Sequence, residues 1–348
     1  MSGIKPSISW IGFPIPRDPT TLFSQSRRDW SACADERGSG VTAIRIGTRG
    51  SRLALAQAAE IKKSLERLYP KRRFKLVIIK TTGDEFQTVA LFKKTNIGVF
   101  TKTLETKLLK KEIDLAVHSL KDLPTDLPKG LTLAGFPKRL DPSDVLISKK
   151  RFNLRSLPKG AVVGTSSPRR KHQLRLVRPD LNIRDIRGNL DTRVSKVLQE
   201  KKYDAILVAK AGLLRLKKYL RYASPISPKQ LLPAVGQAAL GIEVRRDDRM
   251  ILKMVKRLNH RSTEKEVLAE RVFLKTLHGG CRVPVGIYSK IHGNRITLHG
   301  AVFSVRNDRV IKETAVGPKN HYQKVAKSLA YKLLKKGAKS LLIEARNE

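Results

Sequence analysis

Two short segments of this chain match each other in register, and the match limits the folds open to it. The segment Ile46-Gly47-Thr48-Arg49-Gly50-Ser51-Arg52 aligns with Val163-Gly164-Thr165-Ser166-Ser167-Pro168-Arg169. Each segment follows an apolar run typical of a strand and opens a helical pattern. The repeat predicts two similar α/β domains that face each other, each offering a helix N-terminus that binds anions. For one turn alone, helix capping by Thr or Ser is the simpler interpretation. Two matched turns with arginines favour an anion-binding cleft.

Strand and helix patterns alternate along the chain, which predicts βαβ units and mostly parallel sheets. The predicted strands are Ile44–Ile46, Phe74–Ile79, Ile113–Val117, Leu131–Phe136, Ala161–Gly164, Ile183–Ile186, Ala205–Val208, Gly241–Val244, Ile296–Val302 and Arg309–Thr314. Six helices are predicted. The first has Ala54, Ala58, Ile61, Leu65 and Leu68 on one face, the second spans about Thr101–Lys111, and the third starts with Ser167 as N-cap and Pro168 as N1. The fourth contains Arg193, the fifth runs through Leu213 and Leu214, and the last spans about His321–Lys336.

Composition narrows the class of protein further. The 348 residues are enough for two or three domains, each with its own core. Two cysteines exclude a disulfide framework and fit a reducing compartment. No Cys/His cluster suggests a metal site, and no apolar run approaches the roughly 18 residues of a membrane span. Residues 1 to about 42 are rich in Pro, Ser and Gly, so we expect a disordered or loosely attached extension, or an organelle transit peptide.

One cysteine lies in a setting that suggests covalent chemistry. Cys281 is in the segment Leu277-His278-Gly279-Gly280-Cys281-Arg282-Val283-Pro284-Val285-Gly286. A helix precedes the segment, with Thr263 and Glu266 spaced as a capping box, and we expect Gly279 and Gly280 to end it. A thiol on a loop just past a rigid helix can be presented to a cleft. A small buried hydrophobe is the alternative interpretation of a lone cysteine, and Cys33 is interpreted as incidental.

Arginines gather where the predicted strands end. Because ligands bind at the carboxyl edge of open α/β sheets, a group there points to an anion with several carboxylates or phosphates. The six arginines are Arg49, Arg52, Arg169, Arg170, Arg187 and Arg193. Asp122 follows a strand in the same basic surroundings, where it can act as a general acid/base or stabilise a developing cation. A plain ion pair with Lys121 or a nearby arginine is the alternative for Asp122, and His118 is interpreted as structural.

The net charge of +42 suggests an anionic partner, and nucleic acid is the default candidate. The basic residues are spread through the whole chain, however, and aromatic residues make up only 5%. No zinc-finger, RNP or basic-zipper pattern is present. We therefore expect no dedicated nucleic-acid partner, only nonspecific adhesion at low salt.

Six motifs resemble the porphobilinogen deaminase (hydroxymethylbilane synthase) family, in that family's order, from about residue 43 onward. The motifs are Ile46-Gly47-Thr48-Arg49-Gly50-Ser51, Ala116-Val117-His118-Ser119-Leu120-Lys121-Asp122-Leu123-Pro124, Gly164-Thr165-Ser166-Ser167-Pro168-Arg169-Arg170, Arg187-Gly188-Asn189-Leu190-Asp191-Thr192-Arg193, Leu232-Pro233-Ala234-Val235-Gly236-Gln237 and Gly279-Gly280-Cys281-Arg282-Val283-Pro284-Val285-Gly286.

The resemblance implies a fold and a division of the chain. The expected fold is α/β, with two similar periplasmic-binding-protein-like (type II) domains and a smaller α+β C-terminal domain. We expect the extension over 1–42, domain 1 over 43–140 plus about 234–258, domain 2 over 141–233 and a cofactor-anchoring domain over 259–348. The resemblance also implies a cytoplasmic monomer with no membrane partner, with organelle import as the alternative if residues 1–42 are a transit peptide.

The resemblance further implies a transferase that joins four porphobilinogen molecules head to tail with release of ammonia, and then frees hydroxymethylbilane by hydrolysis. A dipyrromethane cofactor would be held by a thioether to Cys281. Asp122 would be catalytic, contacting pyrrole N–H groups and supporting the azafulvene cation. The expected cofactor-binding residues are Cys281, Arg169, Arg170, Arg187, Ser119 and Lys121. The expected substrate-binding residues are Arg49, Ser51, Arg193 and Gln237.

Three positions depart from the family pattern. Ile97 stands where a cofactor-contacting lysine is usual, Ala238 where glycine is usual, and Arg282 where glutamine is frequent. The departure at Ile97 keeps open the hypothesis of a paralogue that binds tetrapyrroles without turnover. An exported solute-binding protein and a nucleic-acid-binding protein are two further hypotheses. No apolar signal core precedes residue 43, which disfavours the exported protein.

Overall fold

The computed structural model describes residues 43–80, 99–278 and 283–346. Two five-stranded mixed sheets form the larger part of it. The first sheet contains β1 (Ile44–Arg49), β2 (Phe74–Ile79), β3 (Leu115–Ser119), β4 (Leu131–Gly135) and β10 (Leu240–Arg245), in the order β2-β1-β3-β10-β4. The second contains β5 (Asp144–Ser148), β6 (Val162–Gly164), β7 (Asn182–Arg184), β8 (Ala205–Ala209) and β9 (Ala223–Ile226), in the order β7-β6-β8-β5-β9.

The two sheets share one topology. In the first sheet β1 pairs in parallel with β2 and β3, and β10 runs antiparallel between β3 and β4. In the second, β6 pairs in parallel with β7 and β8, and β5 runs antiparallel between β8 and β9. The predicted pair of similar periplasmic-binding-protein-like domains is confirmed. The exact domain limits stay a prediction, which the return of β10 to the first sheet supports.

The third part is a small α+β unit. Its antiparallel sheet consists of β11 (Val285–His292), β12 (Arg295–Phe303) and β13 (Val310–Pro318). The helices α7 (Arg261–Thr276) and α8 (Tyr322–Leu333) pack on the sheet through a buried apolar core that includes Phe273, Leu298 and Leu329. The other helices are α1 (Arg52–Leu68), α2 (Val99–Leu109), α3 (Pro168–Val177), α4 (Leu190–Leu198), α5 (Lys210–Leu216), α6 (Arg249–Lys256) and α9 (Lys339–Arg346).

Several sequence predictions hold at the level of single elements. The apolar stripe of α1 buries Ala58, Ile61 and Leu65, as its helical spacing requires. Ser167 is the N-cap of α3 and Pro168 its first residue. Strand β3 ends at Ser119 rather than Val117, because β3 pairs with β10 up to Leu240 and Ser119.

The predicted capping box of α7 is wrong. His260 is the N-cap, and its side chain accepts a hydrogen bond from the backbone N–H of Thr263. The Thr263 hydroxyl instead accepts from the backbone N–H of Arg139, and Glu266 accepts from that of Ile291. Both side chains are therefore used in tertiary contacts, and the helix begins one turn earlier.

Candidate functional site

A buried carboxylate holds the two arginines that open α3. Asp144 is the first residue of β5 and is fully buried. Its Oδ2 accepts from Arg169 Nη1 at 2.9 Å and its Oδ1 accepts from Arg170 Nη2 at 2.7 Å. Burial favours the neutral acid, but the two guanidinium groups outweigh it and hold the pKa of Asp144 well below its ordinary value. The sequence reasoning missed Asp144, whose only signal is a carboxylate at the start of an apolar run.

Each guanidinium of this pair has one N–H group that makes no hydrogen bond with the described residues. Arg169 Nη1 also donates to the Leu232 carbonyl at 2.6 Å, and Arg170 Nη1 donates to the Leu207 carbonyl at 3.0 Å. The Nε atoms of both arginines are buried and have no hydrogen-bond partner among the residues that the structure describes. A buried N–H without an acceptor is costly, so a ligand carboxylate would be stabilised at this place.

Gln237 lies inside the same cluster. It is 1% exposed, and its Nε2 donates to Asp144 Oδ1 at 2.9 Å and to the Pro142 carbonyl at 2.6 Å. Its Oε1 lies 3.5 Å from Arg169 Nη2. These contacts make Gln237 a support for the arginine pair.

Charges from the two domains meet at the cleft. Lys121 and Asp122 lie on a 3₁₀ turn, Leu120–Asp122, that directly follows β3 of the first domain. Burial lowers the pKa of Lys121, Asp122 raises it, and Arg170 and Arg193 of the second domain lower it further. Burial and Arg170 together lower the pKa of Arg193 to about 10, although Asp122 opposes them. Crowded cations next to one carboxylate suit a ligand with several negative charges.

Three other predicted residues occupy the edge of the first sheet. The Ser119 hydroxyl donates to Gln57 Oε1 at 3.0 Å and lies 2.8 Å from Gln57 Nε2, which donates to it. Ser51 is the N-cap of α1, and its hydroxyl accepts from the Ala54 backbone N–H at 3.3 Å. Arg49 is the half-buried last residue of β1. The two serines are therefore fixed by local contacts at the strand ends.

Two of the predicted arginines lie apart from the buried cluster. Arg187 is exposed in the loop after β7. The hydrogen bond from Lys171 is the main reason for the lowered pKa of Asp185 in the same loop, and Arg187 adds a small part. Arg52 lies 3.4 Å from the Asp191 carboxylate on α4, an exposed ion pair between the two domains.

A second buried network joins the C-terminal domain to the crossing between the first two domains. Arg139 donates to both carboxylate oxygens of Glu270 on α7, at 2.7 and 3.1 Å, and its Nε donates to the Gln237 carbonyl at 2.8 Å. Glu270 also accepts from the Gly236 backbone N–H at 2.7 Å. Helix α7 is thereby connected to Gln237 and hence to the arginine pair.

Cys281 and Arg282 lie outside the described residues, as do Cys33 and Ile97. Helix α7 ends at Thr276 and β11 begins at Val285, so the structure places both flanks of the Cys281 loop. The described residues contain no group of three His, Cys, Asp or Glu side chains arranged for a metal, and none of their helices could cross a membrane.

Comparisons with known proteins agree with the geometry. The family model for the dipyrromethane cofactor-binding domain of porphobilinogen deaminase matches residues 44–253, and the model for its C-terminal domain matches residues 264–335. The chain belongs to the porphobilinogen deaminase family. It is thus a transferase of tetrapyrrole biosynthesis with a dipyrromethane cofactor and porphobilinogen as substrate. The hypothesis of a paralogue without turnover is not favoured.

Named relatives of the porphobilinogen deaminase family cover most of the chain. The protein of Carboxydothermus hydrogenoformans is 45% identical over 303 residues, 87% of this chain and 97% of the relative. That of Synechococcus elongatus is 46% identical over 304 residues, 86% and 95% respectively. Both are named porphobilinogen deaminase.

Solved structures match more weakly. The Bordetella pertussis BvgS periplasmic VFT2 domain is 13% identical with a TM-score of 0.37, covering 62% of this chain and 86% of that one. An ancestral cationic amino acid solute-binding protein is 14% identical with a TM-score of 0.38, covering 62% and 87%. The assignment of the fold rests on the strand order and pairing given above.

Proposed function

We propose that this chain condenses four porphobilinogen molecules head to tail, releases ammonia at each step, and frees hydroxymethylbilane by hydrolysis. The observation that carries the proposal is the meeting of Lys121, Arg170 and Arg193 with one carboxylate, Asp122, between the two domains. Each pyrrole of the growing product carries acetate and propionate groups, which guanidinium and ammonium groups bind.

The cofactor would be held by both flanks of this cleft. The buried, unpartnered Nε atoms of Arg169 and Arg170 fit a polycarboxylate, and Lys121 and Ser119 lie on the facing edge. Cys281 would form the thioether and Arg187 would reach in from its exposed loop. When bound, dipyrromethane supplies the carbon nucleophile to which the first substrate is joined.

Asp122 would be the catalytic residue. It is exposed at the end of its turn, so its carboxylate can face the pyrrole N–H groups of the substrate. A carboxylate there stabilises the positive charge that develops on the substrate as the C–N bond breaks and ammonia leaves. Arg49 and Arg193 would bind substrate carboxylates, and Ser51 would act next to Arg49 at the start of α1. Gln237 would act through Asp144 and Arg169 rather than by direct contact.

Intact mass of the purified protein, next to Cys281→Ala, tests the anchoring role. We expect an added mass of one dipyrromethane that is lost in the variant. A bare polypeptide mass after incubation with porphobilinogen would contradict the proposal.

Turnover of Asp122→Asn tests the catalytic role. We expect it to keep the cofactor mass but to consume porphobilinogen about a hundredfold or more slowly, because the charge is removed without a change of shape. Asp126→Asn, a nearby exposed carboxylate paired with Lys275, is the matched control and should keep the wild-type rate. Equal rates for both variants would exclude Asp122 from the chemistry.

A cytoplasmic location and a monomeric state stay predictions of the sequence. Light scattering on the eluted peak of a sizing column measures the latter directly.

A further inference from the structure

The cleft uses only a few of the 72 lysines and arginines, and the folded chain concentrates others on one helix. Lys324, Lys327, Lys332 and Lys335 follow one another at spacings of three, five and three residues in and just after α8, and all four are exposed. At 3.6 residues per turn these spacings put the four side chains on one side of the helix. We call these four lysines, with Ser328 and Tyr331 between them, the lysine face.

The lysine face has no ion-pair partner within the described parts of the chain. None of its four lysines forms an ion pair with a described carboxylate, whereas the adjacent Lys336 pairs with Glu313. Lys332 acts on Glu313 only at longer range, as a minor cause of the lowered pKa of that carboxyl. Four exposed ammonium groups over about 16 Å of helix form a strip of positive potential.

An aromatic ring lies within this strip. Tyr331 is 60% exposed, and with the four lysines and Ser328 it lines a shallow depression of about 520 Å³. An exposed ring among cations is what a nucleic-acid base needs for stacking while its phosphates meet lysines.

The apolar side of α8 excludes insertion into a lipid surface. Val325, Ala326, Leu329, Ala330 and Leu333 are buried in the core of the C-terminal domain. Interfacial helices bind membranes by burying their apolar face in the lipid, and that face is already occupied here. The exposed positive charges and the exposed ring of Tyr331 therefore favour nucleic acid over a membrane as the partner of the lysine face.

We propose that the lysine face binds single-stranded nucleic acid, without sequence preference, as a surface separate from the catalytic cleft. In the sequence these lysines alternate with buried apolar residues, so no basic run is visible. This explains why the distribution of basic residues along the sequence predicts no dedicated nucleic-acid partner. The helix brings the charges together.

The test is fluorescence anisotropy of a labelled single-stranded oligonucleotide of mixed sequence, titrated with the full chain at several NaCl concentrations. The variant carries Lys324→Gln, Lys327→Gln, Lys332→Gln and Lys335→Gln. The matched control carries Lys63→Gln, Lys110→Gln, Lys149→Gln and Lys229→Gln, four exposed lysines of the first two domains that lose the same charge. Circular dichroism verifies that both variants are folded.

Each phosphate neutralised contributes about −0.7 to the slope of log binding constant against log salt for a single strand. We expect the lysine-face variant to flatten this slope by about 3, with the control close to wild type. Tyr331→Ala should weaken binding about tenfold at constant salt through lost stacking.

Three results would overturn the proposal. Equal flattening in both quadruple variants would assign binding to the distributed charge of the chain. Tighter binding to phosphatidylglycerol vesicles, lost in the lysine-face variant, would assign the face to a membrane. An unchanged affinity in Tyr331→Ala, with duplex and single strand bound equally well, would show that no base stacks on Tyr331.

Discussion

At the scale of single residues, Asp144 holds Arg169 and Arg170 in place and compensates their buried positive charges. Replacing it by Asn keeps the shape but leaves two buried guanidinium groups without a carboxylate. We expect Asp144→Asn to lower the free energy of unfolding by about 3–5 kcal/mol, as measured by urea titration at pH 7. Asp126→Asn removes one member of an exposed ion pair and should cost less than about 1 kcal/mol. Similar losses of unfolding free energy in the two variants would show that Asp144 does not stabilise the arginine pair.

The same residue predicts a pH dependence. The pKa of Asp144 is lower in the folded chain than its ordinary value of 3.8. Its stabilising effect is therefore complete above that value and is lost as the pH falls through the folded pKa. The difference in unfolding free energy between wild type and Asp144→Asn should be constant between about pH 7 and 5 and shrink below about 3.8. A difference that already falls between pH 7 and 5 would point to another titrating group.

Site residues were predictable where their position directly after a strand was enough to place them at the cleft. Arg169, Arg170 and Asp122 follow strands, and the ends of strands meet at a cleft in this class of fold. Asp144 was not predictable, because its partners lie 25 and 26 residues away and only the folded sheet brings them together. The burial of Gln237 among Pro142 and Asp144 depends on the same long-range packing.

At the scale of elements, the two matched segments require glycine at Gly47 and Gly164 for packing, because the helices that follow are capped by Ser51 and Ser167. A Cβ on Gly164 would lie 2.9 Å from Ile206 Cγ2, and a Cβ on Gly47 would overlap the Ile113 side chain. We expect Gly47→Ala and Gly164→Ala each to destabilise the chain by about 1–3 kcal/mol in urea titrations, because both sites are fully packed.

Gly50→Ala is the matched control for the two turns. Its added Cβ would meet only Ile78 Cγ2, at the ordinary contact distance of 3.5 Å. We expect little change in the urea midpoint for this variant. A loss as large as that of Gly47→Ala would mean that the backbone conformation of the turn, and not the space beside it, requires glycine.

Elements were predictable where a local pattern decided them. The stripe of α1 and the Ser167-Pro168 start of α3 follow from spacing and capping alone. Strands β5, β9 and β11 were missed. Strand β9 contains Pro225, which disfavours a strand unless it lies at an edge, and β9 is the edge of the second sheet. Helix α7 starts at the His260 cap, and the predicted capping box fails because Thr263 and Glu266 make tertiary contacts that no local signal reveals.

At the scale of the whole molecule, the crossings between domains bring the charges together. Arg139 and Gln237 lie on the two crossing segments and are bonded to each other, and Glu270 of α7 joins them. One of the six motifs contains Gln237, whereas Arg139 lies outside all of them and was not predicted as a site residue. The bonds between them could not be predicted, since they join residues 98 and 131 positions apart.

The net charge of +42 leads to a last prediction, for the whole molecule. Self-repulsion among so many cations destabilises a compact state, and salt screens it over a Debye length of about 10 Å at 0.1 M. Raising NaCl from about 0.05 to 0.5 M should therefore raise the thermal midpoint by several degrees. Either quadruple Lys→Gln variant should show a smaller rise, because it carries four fewer positive charges. A fall in the midpoint would mean that ion pairs such as Arg52–Asp191 outweigh repulsion, since salt weakens them as well.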